Sequence, residues 1–465
     1  MQLKRKRDLK RTLLASSCAL LGTSAARADA GDWSFDTGIL YYSEQDRVQA
    51  TEPGAILKRD FGDDSFLSLH LVADTLSGAT PTGAMPSSGK NSVTVTSPSG
   101  KTSTVAGAAG INPVDPNFKD FRKAISATWS QPLDRLSRLD LGASYSIEHD
   151  FKSQGVNALF SHDFNDRNTT LSLGLASEWD LVFPIGGVHK PLSVLPHIIA
   201  VPPPPGGGGE GGDEGDIGGQ GGENGEEGGG GSGGVITTKN PVIAASETKR
   251  VNDLLLGVTQ VMNRDWLTEL NYSYSRSTGY QNDPYKVVSI LNTKAGITTP
   301  VGQPIFNIYE NRPDLHQKYA LYWGNKVYLG GDVLDFSYRY GWDDWGIHSG
   351  TYEVRYRMSW DSGFYVMPHL RWYRQNAADF YHRGLLDTDK APPYVSADYR
   401  LAAFSARTVG IEFGTRTSGG SRISLRVERY LQTGSSDPRV DIGVQRQYDL
   451  FPDLKADIVQ LSFSF

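Results

Sequence analysis

The last nine residues, Asp457 to Phe465, alternate polar and apolar as far as the carboxyl end. In an extended chain Val459, Leu461, Phe463 and Phe465 share one face, and Gln460, Ser462 and Ser464 share the other. A period of two cannot give an amphipathic helix, so this segment predicts a strand with one apolar face and one wet face.

The same rhythm recurs throughout the chain. Strands are predicted at Trp33 to Ser43, Arg47 to Arg59, Ser65 to Thr75, Phe121 to Gln131, Leu139 to Glu148, Gly155 to Phe164, Thr169 to Trp179 and Lys249 to Met262. They continue at Trp266 to Arg276, His316 to Tyr328, Asp332 to Trp342, Thr351 to Trp360, Phe364 to Tyr373, Asp398 to Phe413, Ser421 to Leu431 and Ala456 to Phe465. In the middle hairpins Leu334, Phe336, Tyr338, Tyr340 and Trp342 oppose Asp335, Ser337, Arg339 and Gly341. The next strand sets Tyr352, Val354, Tyr356 and Met358 against Glu353, Arg355, Arg357 and Ser359. Val251 to Val261 and Leu401 to Phe413 do not sort into two such faces.

Short turns alternate with long polar loops at 76–119, 180–248, 277–315, 374–397 and 432–455. A soluble sandwich has no reason to segregate its loops to one end, whereas a membrane barrel has short periplasmic turns and long outer loops. The predicted fold is all-β: a transmembrane antiparallel up-and-down β-barrel of about 16 strands, with about 14 or 18 as alternatives. In such a barrel Leu461, Phe463 and the terminal Phe465 form the signal read by the barrel-assembly machinery. The last strand is expected to pair with the first and close the wall.

The amino end agrees with export. Basic residues from Lys4 to Arg11 precede the apolar run Leu13 to Leu21, and Ala26-Arg27-Ala28 offers a small-x-small cleavage site, so residues 1–28 read as a signal peptide for the general secretory route. The run is too short to span a bilayer as a helix. A twin-arginine reading at Lys6-Arg7 fits a barrel poorly, because that route carries folded proteins. Cys18, the sole cysteine, lies in this run, so the mature chain has no thiol chemistry; a lipoprotein reading of Cys18 would cut the run short. The formal charge of -6 includes seven basic residues and one acid in the first 28, so residues 29–465, one barrel domain, carry about -12. That balance argues against nucleic acid. About 201–234 is Gly-rich, follows prolines and carries seven acids, and it is expected to be a disordered outer loop. It lacks the nonapeptide repeat of calcium-binding β-helices.

Projected inward, Lys318, Asp335, Arg339, Glu353, Arg355, Arg357, His369, Arg371, Arg426 and Glu428 would form a mixed-sign lining. Two readings stay open: a constriction selecting polar or anionic solutes, and a salt-bridge network that stiffens the wall. Asp343, Asp344 and His348 at a hairpin tip, and Asp379 with His382, carry donor types that would suit a divalent ion, though turn tips also keep Asp for local hydrogen bonds. His348-Ser349 and His162-Asp163 are adjacent pairs without the spacing of a nucleophile and base. No nucleophile elbow, phosphate loop or dinucleotide fingerprint appears. No catalytic residue and no cofactor are expected.

Several stretches resemble one bacterial family, domain-of-unknown-function family 3570 (DUF3570). They are 74–84 (DTLSGATPTGA), Phe183-Pro184-Ile185-Gly186-Gly187, Asn311-Arg312-Pro313, 338–349 (YRYGWDDWGIHS) and 375–381 (QNAADFY). The Gly-rich insert departs from the pattern. The resemblance implies an integral outer-membrane barrel in contact with lipid, and it points toward envelope redox proteins as neighbours, although this chain has no haem motif or mature cysteine of its own. The functional expectation is a channel or transporter for a small polar solute. The alternatives are a non-conducting accessory barrel that docks a periplasmic redox or export partner, and an outer-membrane hydrolase dependent on His348 or Asp344.

Overall fold

A computed structural model describes residues 33–88, 92–98, 102–106, 110–195, 199–200, 235–236, 242–296, 300–417, 419–435, 437–451 and 453–465. The predicted signal peptide with Cys18 and the Gly/acid-rich segment at 201–234 lie outside them. Sixteen strands form one closed antiparallel barrel in chain order. They are β1 (Trp33–Glu44), β2 (Gln49–Asp60), β3 (Phe66–Pro81), β4 (Val114–Pro132), β5 (Ser137–Ile147), β6 (Phe151–Phe164), β7 (Thr169–Val182) and β8 (Glu247–Asn263). The second half comprises β9 (Trp266–Gly279), β10 (Leu315–Leu329), β11 (Asp332–Asp343), β12 (His348–Ser359), β13 (Tyr365–Gln375), β14 (Phe404–Arg416), β15 (Arg422–Gly434) and β16 (Leu454–Ser464).

Closure joins the ends of the sheet. β16 pairs with β1, setting Leu461 opposite Ile39 and Phe463 opposite Thr37. The last residue continues the ladder: the Phe35 amide donates to the Phe465 carbonyl at 2.8 Å, the Phe465 amide returns a bond at 3.0 Å, and the two rings lie 5.1 Å apart. No strand edge of the barrel is left open, which in hydrocarbon would cost several kcal/mol per unpaired group.

The period of two sorts the two faces. Leu175, Leu256, Leu370 and Val409 point outward and are exposed. Trp33, Trp129, Trp266 and Trp360 mark the exterior near the short turns, and Trp179, Tyr352 and Trp372 mark it near the long loops. These are the two aromatic girdles of a membrane barrel.

The two unsorted strands have a structural cause, because each carries apolar residues on its inward face. Leu255 of β8 fills the space above Gly174 beside Leu159. Phe404 and Ala406 of β14 are buried against the outer loops. Strand ends also shift. β3 and β4 run on to Pro81 and from Val114, beyond the predicted Thr75 and Phe121, because polar residues keep pairing past the apolar band. Asp398 does not begin a strand: its carboxylate caps the 3-10 turn Tyr399–Leu401, accepting from the Arg400 amide at 3.1 Å, and the strand starts at Phe404.

Candidate functional site

All ten predicted lining residues belong to the inward-facing set of their strands, alternating with exposed neighbours such as Tyr352, Val354, Leu370, Trp372, Leu425 and Val427. Register then decides which of them meet. Glu353 lies opposite Arg371, and Arg355 lies opposite His369. The Glu353 carboxylate pairs with Arg355 and stands 3.3 Å from His369 Nε2 and 3.7 Å from Arg371 Nε. On its other side His369 Nδ1 is 2.7 Å from Glu428 Oε1, which Arg426 Nε approaches at 3.8 Å. Arg426 also reaches Gln460. Asp335 is 3.9 Å from Lys326 Nζ, Arg339 lies 5.3 Å from the Tyr322 ring, and Arg357 lies 4.0 Å from the Tyr365 ring. Lys318 on β10 faces Asp343 in register. Six of the ten predicted lining residues, Glu353, Arg355, His369, Arg371, Arg426 and Glu428, therefore form one chain of ion pairs across β12, β13 and β15, and the other four line the same inner face beside it.

Two glycines let bulky side chains lie along the wall. A Cβ at Gly324 would come within 2.8 Å of the Tyr322 hydroxyl, and one at Gly414 would meet the Tyr365 ring. Tyr365 is held flat by its hydrogen bond to Glu412 Oε1 at 2.6 Å.

Above the belt, the outer loops fold into the barrel mouth. Trp345, Ala378, Phe380, Tyr381, Tyr399, Leu401, Ala402 and Phe451 form one apolar cluster with Tyr42, Ala50, Leu76, Phe118, Phe404, Ala406, Tyr430 and Ala456 on the strands. Those strand residues face inward, from β14 around through the β1/β16 seam to β4. Two smaller clusters, around Val288, Ile308 and Val395 and around Met85, Leu291 and Leu450, join the loops to one another. Burial of this apolar area stabilises the loops against the inner wall of the mouth.

Buried polar groups tie four loops together. Arg383, between β13 and β14, donates to the Leu450 carbonyl at 2.8 Å, the Gly83 carbonyl at 2.6 Å, the Ala84 carbonyl at 3.2 Å and Asn112 Oδ1 at 2.6 Å. Gln445 donates to the Pro86 and Gly302 carbonyls at 2.7 and 2.8 Å. Arg312, between β9 and β10, meets Glu310 Oε1 at 2.6 Å and Asp398 Oδ2 at 2.9 Å. Arg400 pairs with Asp398 and, at 2.7 Å, with Asp283. Burial alone would raise the Asp398 carboxyl, but the Arg400 and Arg312 guanidiniums outweigh it and hold the group well below the usual carboxylate range. Asp283 is likewise lowered, with Lys286 and Arg400 overcoming burial, whereas burial dominates at Glu310 and raises it. This network went unseen in the sequence. Its one visible trace was the charge of Arg312 and Asp398, which no spacing rule connects across the intervening strands.

The hairpin-tip residues do not converge on a point. Asp343 Oδ1 accepts from the Trp345 and Ile347 amides at 3.0 and 2.8 Å, and its Oδ2 faces His316 Nε2 at 2.9 Å. His316 in turn stacks on Trp345 with centroids 3.7 Å apart. Asp344 Oδ1 accepts from the Gln317 amide at 2.8 Å, and His348 Nδ1 meets the Tyr340 hydroxyl at 3.0 Å. His382 Nδ1 lies 3.9 Å from Asp437, and the Asp379 carboxylate packs against Gly346. Among the described residues, the trio of donors whose ligand atoms lie within 4.8 Å of one another is Asp120, Glu148 and Asp150, of which Asp150 accepts from the Tyr285 hydroxyl at 2.8 Å.

Inside a bilayer every backbone polar group must find a partner within the protein, and strands achieve this only by closing. With its closed wall, apolar girdled exterior and charged interior, the chain is by class an outer-membrane β-barrel. It belongs to the family described as protein of unknown function DUF3570, which matches residues 10–465. No curated protein matches the chain. Among solved structures it is similar to the siderophore receptor PirA from Pseudomonas aeruginosa, at 8% identity and TM-score 0.36 over 87% of this chain and 57% of that one. A mutant of the ferric enterobactin receptor PfeA from Pseudomonas aeruginosa gives 9%, 0.40, 88% and 54%. A variant of OccD1 (OprD) gives 10%, 0.37, 95% and 97%. The chain thus spans little more than half the length of the two receptors.

Proposed function

We propose that this protein is a gated outer-membrane channel for a small polar solute, closed at its outer mouth by its own loops. The observation that carries the reading is the placement of a mixed-sign belt, centred on Glu353, His369 and Glu428, beneath a loop plug held by the Arg312 and Arg383 networks. A belt of paired charges offers a polar solute alternating donors and acceptors without holding a single sign of ion tightly, as conduction requires. The flat Tyr322 and Tyr365 side chains leave room along the wall. The role needs no catalysis and no cofactor, and export follows the general secretory route.

Liposome swelling with neutral and charged small solutes tests this. Vesicles containing the barrel should admit small polar solutes faster once Arg312→Met and Arg383→Met have loosened the plug, and Glu353→Gln in that background should alter the preference for charged solutes. The plug itself favours a second reading, a non-conducting barrel whose short turns dock a periplasmic partner. No swelling in the loosened but folded variant, together with a specific crosslink from those turns to a periplasmic protein, would support it.

A further inference from the structure

The outward face of β13 to β16 carries charged residues only toward its outer end. Arg374, Arg407, Arg429 and Lys455 all point away from the lumen and are exposed, with Asp457 as the one carboxylate among them. Register places them together. Arg374 lies opposite Ser405 and is therefore diagonal to Arg407; Arg407 lies opposite Leu431 and is diagonal to Arg429; Arg429 is two rungs from Val427. Diagonal neighbours on one sheet face are about 7–8 Å apart, a spacing that phosphate oxygens bridge readily. Arg429 Nη1 pairs with Asp457 at 2.5–2.6 Å, while Arg374 and Arg407 make no ion pair among the described residues.

Height along the barrel is the second constraint. Arg374 is one residue from the loop end of β13, Arg407 three residues into β14 and Arg429 five residues from the loop end of β15. Gln375, Phe404 and Gly434 share one rung, and from β15 the outer ends descend toward β1, with Leu454 pairing with Gln432 and Glu44 with Ala456. The three arginines thus step down diagonally from that rung toward the β16 seam, all within the outer part of the wall. Directly toward the bilayer lie exposed Trp372, Val409 and Val427. Cations on a lipid face are tolerated near the interfaces, so folding does not oppose this placement.

We infer that this rim patch is a binding site for a phosphorylated lipid of the outer leaflet, with phosphate groups on Arg374, Arg407 and Arg429 and acyl chains along Trp372, Val409 and Val427. An anionic head above apolar tails matches a cationic row above an apolar wall, and the planar guanidinium favours bidentate phosphate contacts. Asp457 holds Arg429 in competition with the lipid.

Native mass spectrometry of the folded, full-length barrel titrated with bisphosphorylated lipid A, and separately with its dephosphorylated form, tests the inference. Wild type should retain the phosphorylated lipid more strongly. Arg374→Gln/Arg407→Gln/Arg429→Gln should weaken that retention on the order of tenfold or more. Asp457→Asn should strengthen it by freeing Arg429, and the interior Arg339→Gln should leave it unchanged. Heat-modifiable migration in detergent confirms that each variant is folded. Equal retention of the two lipids by wild type, or unchanged retention by the folded triple variant, would overturn the site.

Discussion

The Arg312 guanidinium stands 2.9 Å from the Asp398 carboxylate, and both side chains are wholly buried. The pair joins the loop after β9 to the loop after β13, so it ties together two of the connections packed in the mouth. Arg312→Met would leave Glu310 and Asp398 facing each other with less positive charge between them. Removing one partner from a buried pair costs about 3–5 kcal/mol. Hydrogen exchange should then show lost protection in 280–314 and 376–403, while β1 to β16 keep theirs and the barrel still migrates as a folded species before boiling.

Acid should open the same plug. Asp398 and Asp283 have folded values below their unfolded ones, so their stabilisation is fully present above the ordinary carboxylate range of about pH 4 and is lost as pH falls through the lowered folded values. Glu310 is raised and acts in the opposite sense, its contribution fading as pH rises through that raised value. Loop protection measured by hydrogen exchange should hold or rise slightly as pH falls from 8 to about pH 5, through Glu310, and collapse below about pH 4 as Asp398 and Asp283 protonate, with the barrel intact.

The carboxyl end should govern yield. Deleting Phe465 removes both backbone bonds to Phe35 and the ring contact. The Phe35 amide and carbonyl then lose their partners at the closing seam. The folded, heat-modifiable fraction recovered from membranes should fall steeply, and Phe465→Tyr should restore most of it.

Wall geometry gives a fourth expectation. Gly414→Ala would place a Cβ 2.2 Å from a Tyr365 ring carbon, so the ring must leave the wall and take Arg357 with it. In a barrel with a loosened plug, single-channel conductance should drop while the thermal midpoint shifts by only a few degrees.

Much of the barrel was legible in the sequence, because strand alternation is a local property and a membrane wall enforces it at every strand. All ten charged lining candidates could be assigned to the inner face from parity alone, and Leu461 and Phe463 to the outer. The exceptions were apolar residues turned inward, Leu255, Phe404, Ala406, Leu76 and Phe118 among them, which alternation cannot distinguish from lipid-facing ones. The plug was not legible. Arg383 contacts residues of two other loops, and Asp398 reads as a strand residue when its neighbours in sequence are strands. The irregular backbone of the loops carries no period, and their partners lie as far as 359 positions away. For the same reason Asp343 and Asp344 suggested a metal site while serving as local acceptors that shape the hairpin tip.

Planar-bilayer recording of wild type beside Arg312→Met/Arg383→Met tests the central claim most directly. A barrel gated by its own loops predicts rare, brief openings for wild type and discrete, sustained conductance steps for the folded double variant. A double variant whose outer loops have lost protection from exchange yet conduct no more than wild type would contradict it.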